Sequence, residues 1–83
     1  MSNSDILLSL RQMIAELLAV NIENVDPDRD LFILGLDSLV AIRLLHKIEV
    51  SMGVRLIIAD VFDMPTAKQL EQAIQHHLAK VHD

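Results

Sequence analysis

The chain of 83 residues has no cysteine, no tryptophan and no tyrosine. Without thiols it can build neither a disulfide framework nor a cysteine-based zinc site, and it suits a reducing compartment. Phe32 and Phe62 are its only aromatic residues. The hydrophobic 52% must therefore come from Leu, Ile, Val, Met and Ala, side chains that pack readily between helices. Two glycines and two prolines confine the chain's punctuation to Gly35, Gly53, Pro27 and Pro65. Basic residues are scarce: seven Lys and Arg face twelve Asp and Glu, for a formal charge of -5. That balance repels a phosphate backbone and leaves no basic stripe, so nucleic acid is not an expected partner. No apolar run approaches the roughly 20 residues of a membrane span, so no membrane is expected either. The opening MSNSDILLSLRQ lacks the positive start and small-residue cleavage site of a signal peptide. We therefore expect a cytoplasmic, monomeric protein, and the initiator methionine and short tails suggest a discrete one.

What is present is helical periodicity. Ile6, Leu10, Met13, Ile14, Leu17 and Leu18 recur at spacings of three and four, which predicts a first helix over about 4–19 with one buried face. The pattern then breaks over 20–36, a connection long enough to be unusual unless pinned or functional. Leu31 and Phe32 are expected to pin it to the bundle. Asp37 as N-cap and Gly53 as stop bound a second helix over about 38–52. VRLII reads as an extended connection, and ADVFD before Pro65 leaves room for a short third helix at about 58–63. Thr66 and Gln69 have capping-box spacing and open a fourth helix over about 67–81, with Leu70, Ala73, Ile74 and Leu78 on its inner face. The expected architecture is all-α: a small four-helix bundle, a single domain over 1–83, with three longer helices and one short one. A core of this size is feasible, but an enclosed two-domain active site is not. Such a chain is expected to act with partners.

The second helix has two apolar faces. At about 100° per residue, Ala41, Leu44, Leu45, Ile48 and Met52 share the arc that should face the core. Leu39, Ile42, His46 and Val50 lie roughly opposite, with Val40 and Arg43 beside them. A bundle helix needs only one buried face, and an exposed apolar patch often marks a contact surface. Part of the second stripe is expected to be covered by the loop or the short helix, and the part near Ser38 to meet partner proteins. The helix itself carries Arg43, Lys47 and Glu49, while Glu23, Asp26, Asp28, Asp30 and Asp37 concentrate the acidic excess just before it.

The stretch LGLDSLVAIRL places Ser38 where that helix begins. Three readings compete for it. Serine is well tolerated in a first turn, which alone would explain its presence. Gly-Leu-Asp-Ser-Leu superficially resembles a serine-hydrolase motif, but a nucleophile needs a base within hydrogen-bond reach and donors for an oxyanion. His46 lies about two turns away on a different face, and His76, His77 and His82 sit near the C-terminus. Third, Ser38 could be an attachment point: an exposed hydroxyl on a rigid element, preceded by the hinge Gly35, with free amides and the positive helix end to receive a phosphodiester. Asp37 opposes this electrostatically and would serve as cap and in recognition by the modifying enzyme. Adjacent His76 and His77 diverge by about 100° around a helix and no third ligand is evident, so no metal centre is expected.

LGLDSLVAIRL, the Gly-Val-Arg-Leu turn and VFDMPTAKQLEQAI together resemble the acyl carrier and peptidyl carrier family over nearly the whole chain. The resemblance implies that Ser38, flanked by Gly35, Asp37 and Leu39, receives 4′-phosphopantetheine from coenzyme A through a magnesium-dependent phosphopantetheinyl transferase. The arm's thiol would then hold an acyl or aminoacyl group as a thioester, and the chain would be a carrier without catalysis of its own. Its expected partners are a loading enzyme, either adenylating enzyme or acyltransferase, and downstream ketosynthase, condensation or tailoring enzymes. Leu36, Leu39, Val40, Ile42, Arg43 and Val61 are the expected contact residues. Free-standing carriers of fatty-acid synthesis typically have a strongly acidic second helix, from which Val40, Arg43, Lys47 and Val50 depart. Leu36 resembles polyketide carriers and Ala41-Ile42-Arg43-Leu44 resembles peptidyl carriers. We therefore expect polyketide, nonribosomal-peptide or mixed secondary metabolism. The alternatives are primary fatty-acid synthesis and an unmodified helical adaptor.

Overall fold

In a computed structural model, which describes residues 3–81, leucines and isoleucines three and four apart build three long helices. His82, grouped above with the C-terminal histidines, lies outside the described residues, as do positions 1, 2 and 83. Helix α1 spans Asn3–Leu18. A single 3-10 turn follows at Ile22–Asn24, then α2 at Leu31–Leu34, α3 at Ser38–Met52, α4 at Ile58–Asp63 and α5 at Ala67–Val81. Among the described residues every regular element is helical. α1 packs against both α3 and α5, and α4 against α3. The core is where their stripes meet: Leu10 and Ile14, Leu44 and Ile48, and Leu70 and Ile74 are all fully buried. Removing such a side chain, as in Leu44→Ala, costs about 2–5 kcal/mol. Met13 and Met52, at expected core positions, are half-buried and line an open groove of about 320 Å³ between α1 and α3.

The expected long loop is not structureless. Asp30 caps α2, its carboxylate accepting the Phe32 N–H at 2.8 Å, and Leu31 fills the core. Arg11 on α1 donates from Nε to the Val25 carbonyl at 2.7 Å and from its guanidinium to the Ile22 carbonyl at 3.1 Å. Those donors satisfy the end of the 3-10 turn and hold Val25 in the core. Two backbone bonds tie the same segment to the start of α5: Leu31 N–H to Pro65 C=O at 2.8 Å, and Lys68 N–H to Pro27 C=O at 3.0 Å. Phe32 stacks on Phe62 of α4, ring centres 5.3 Å apart and planes 8° from parallel. The Thr66 cap differs in detail from a full capping box. The Gln69 N–H donates to Thr66 Oγ1 at 3.2 Å, but the Gln69 side-chain oxygen accepts from the threonine hydroxyl, not from the backbone.

Among the described residues, one with a side chain is held left-handed. Ala19, at the end of α1, has φ 56°, which lets Val20 N–H reach back to Ala15 C=O at 3.0 Å and close the helix. That conformation costs a residue with a Cβ about 1–2 kcal/mol, while glycine adds about 0.4–1 kcal/mol of unfolded-state freedom. Ala19→Gly should thus raise the thermal midpoint by about 2–6 °C, read by circular dichroism. A lowered midpoint would show that strain at Ala19 is not what limits the closure.

Candidate functional site

Three residues carry the chain from the end of α2 to Ser38 at the head of α3. Gly35 closes α2, its N–H donating to the carbonyls of Leu31 and Phe32, with φ 121° and ψ 5°. Leu36 N–H donates to Leu31 C=O at 2.9 Å, so the chain doubles back and Leu36 drops into the core. Asp37 is extended, φ -132° and ψ -177°. Its carboxylate accepts the Val40 N–H at 2.9 Å and its carbonyl accepts the Ala41 N–H at 2.8 Å. Ser38 is the first residue of α3 and is exposed. Its presentation follows from the buried residue before it and the cap beside it, which together fix where the helix starts.

The Ser38 hydroxyl forms no hydrogen bond with another described residue. The N–H groups of Ser38 and Leu39 likewise find no acceptor among the described residues, leaving donors beside the hydroxyl at the positive end of a 15-residue helix. His46 is exposed about two turns along α3, and the His77 ring nitrogen lies 3.0 Å from Ala73 O on its own helix. The Asp37 carboxylate is engaged in capping. Among the described residues no group of three His, Cys, Asp or Glu is placed to hold a metal ion. The arrangement offers a free hydroxyl beside free N–H donors, with no base on the oxygen among the described residues.

The expected contact residues divide. Leu39 is 57% and Ile42 55% exposed, Arg43 is exposed, and the stripe continues through exposed His46 and Val50. Val40 is half-buried and packs against the core. Leu36 and Val61 are corrections: both are buried and cannot form a contact surface. Leu36 is turned inward by the bend after Gly35. Val61 lies three residues after Ile58, so the two share the inner face of α4, and Phe62 is left half outside against Phe32. Exposed apolar residues that sequence reasoning missed include Ile33, 81% exposed, with Leu8, Ile57 and Phe62. Ile33 was legible in principle, since a one-turn helix capped by Asp30 with Leu31 inside leaves it outside. Ile57 and Phe62 had no local signal. Nor did Arg11, whose role depends on a loop that returns to it.

Comparisons with known proteins bear on this geometry. The family model described as a phosphopantetheine attachment site matches residues 9–74. A nonribosomal peptide synthetase, ecdA of Aspergillus rugulosus, is 32% identical over 72 residues, which is 86% of this chain. The chain spans only 1% of that protein's length. A free-standing peptidyl carrier protein from an uncharacterized secondary metabolic pathway of Acinetobacter baumannii superposes with a TM-score of 0.86 at 26% identity, covering 93% of this chain and 96% of the other. The HMG-ACPI domain from the CurA module of Lyngbya majuscula superposes with a TM-score of 0.83 at 26% identity, covering 95% of this chain and 81% of the other.

Proposed function

Because the chain belongs to the phosphopantetheine attachment-site family, whose members carry that prosthetic group, we propose that Ser38 is the attachment residue of a carrier domain spanning 1–83. The observation that carries the proposal is the exposed Ser38 hydroxyl at the head of α3, with unpaired N–H donors beside it. In the transfer, Ser38 Oγ forms a new bond to the pantetheine-side phosphorus of coenzyme A and the pyrophosphate linkage breaks. The adenosine 3′,5′-bisphosphate leaves, and the hydroxyl proton passes to a base on the transferase. This chain's residues present the oxygen and would hold the product: Asp37 sets the helix start, Gly35 makes the bend, and the Ser38 and Leu39 amides would be available to the phosphodiester. Once attached, the group supplies a thiol on which acyl or aminoacyl units are held as thioesters, in a chain with no cysteine of its own.

The pathway we propose is nonribosomal-peptide, polyketide or mixed secondary metabolism, supported by the kinds of protein the chain resembles. The domain is a cytoplasmic monomer that serves enzymes in turn: a phosphopantetheinyl transferase, an adenylating or acyltransferring loading enzyme, and a ketosynthase, condensation or tailoring enzyme. The test is incubation with coenzyme A, magnesium and a broad-specificity transferase, followed by intact mass. One added phosphopantetheine per chain is the expected result, and unmodified protein beside a working control carrier would overturn the assignment.

Leu39, Ile42 and Arg43 form the docking surface in this reading, and the half-burial of Val40 separates two substitutions. Ile42→Asp should leave stability within about 0.5 kcal/mol and lower kcat/KM of the loading enzyme about tenfold or more, equivalent to about 1.4 kcal/mol. Val40→Asp places a carboxylate partly in the core and should lose about 1–3 kcal/mol of stability. Urea unfolding of both variants with loading kinetics checks the pair. Equal losses of stability would place Ile42 in the core with Val40.

A further inference from the structure

With a formal charge of -5, the chain as a whole should attract basic surfaces. The exposed face of α3 departs from that field. Its one acidic residue, Glu49, is neutralised locally: Arg55 Nε and a terminal guanidinium nitrogen both lie 2.9 Å from the same Glu49 oxygen. Arg43 is exposed and has no ion-pair or hydrogen-bond partner among the described residues. Lys47 has only a 4.0 Å contact with Glu16, between a partly exposed lysine and a largely exposed glutamate, a pair that holds little charge back. The carboxylates nearest in sequence are engaged with backbone: Asp30 with Phe32 N–H and Asp37 with Val40 N–H. The apolar stripe of Leu39, Ile42 and Val50 is thus accompanied by an unanswered cation.

We propose that the outer face of α3 docks a partner protein whose apolar surface is edged by carboxylates, one of them opposite Arg43. Arginine presents a planar fork that pairs with a carboxylate through two hydrogen bonds. At the margin of an apolar contact, water is partly excluded and the pair is screened less than in the open. A basic partner would instead set like charge against Arg43, which selects against it. That the partner is a loading or downstream enzyme rests on the carrier reading. The charge preference of the face does not.

Two synthetic amphipathic helical peptides test it. They share the same leucine face, flanked by glutamate in one and by lysine in the other, and each is titrated into the full chain while the α3 amides are followed by NMR. The glutamate peptide is expected to bind the face of Leu39, Ile42, Arg43 and Val50 at least about fivefold more tightly, against the sign of the net charge, with the gap narrowing as salt is raised. Arg43→Glu should reverse the order with an unchanged unfolding midpoint, and Arg55→Ala, which releases Glu49, should narrow it. Equal affinities, tighter binding of the lysine peptide at α3, or no shift of α3 amides with either peptide would overturn the proposal. The mass assay on the same wild-type sample separates the two ideas: a Ser38 that accepts no arm defeats the carrier reading and leaves the peptide preference standing.

Discussion

Ser38→Ala is expected to gain no mass from coenzyme A under conditions that modify every wild-type molecule. The loss should be complete because the reacting atom is removed, whereas the fold should hardly register the change. Ser38 is exposed at the first position of α3, and the cap that starts the helix is Asp37, which keeps its bond to Val40 N–H. Alanine is the best helix former at an exposed helical position, so the unfolding midpoint should move by less than about 0.5 kcal/mol equivalent. An unfolded variant would therefore contradict the structure, and a folded variant that still takes up the arm would move the attachment to another residue.

Gly35→Ala should have the largest effect on stability of any exposed substitution near the site. The reason is backbone and not crowding. A Cβ at position 35 would meet only Leu18 Cδ2, at an ordinary 3.9 Å. The φ of 121° at ψ 5°, however, is a conformation that side-chain-bearing residues rarely adopt, with strain of about 1–3 kcal/mol. In a domain of this size, that corresponds to a midpoint lowered by about 5–20 °C. Relief of the strain would re-aim Leu36 and with it the start of α3, so uptake of phosphopantetheine should slow as well. Thermal unfolding and the time course of modification measure the two effects. A midpoint within about 1 °C of wild type would show that the bend tolerates a side chain, and Gly35 would then lose its part in presenting Ser38.

These two positions show how much of the site could be read before any coordinates. Gly35 reads from sequence as a hinge, and only the fold shows it closing α2. The cap at Asp37 and the serine after it are adjacent in the chain, and the Asp37 bond to Val40 N–H spans three residues. Local chemistry of that kind is visible in sequence. The same holds for the inner stripes of α1, α3 and α5, since a helical period of 3.6 residues puts Leu44 and Ile48 on one side whatever they pack against. Resemblance to carrier proteins supplied the chemistry that the residues alone left open among three readings of Ser38.

The errors have the opposite character. The segment over 20–36 was expected as loop, and it holds a 3-10 turn and a helix because Arg11, Pro65 and Lys68 supply partners from other elements. Val61 was placed on the surface when Phe62 is the half-exposed residue. That choice is settled by stacking on Phe32, an arrangement between residues far apart in the chain.

The sequence by itself determined α1, α3, α4 and α5, the Asp37 cap, the inner stripes and the position of the serine, because each depends on neighbours within about one turn. Tertiary structure alone decided how the long connection is strapped, which apolar residues remain outside, and which charges stay unanswered once Arg55 has taken Glu49. Those outcomes depend on groups brought together from distant parts of the chain, and no local pattern records which will meet.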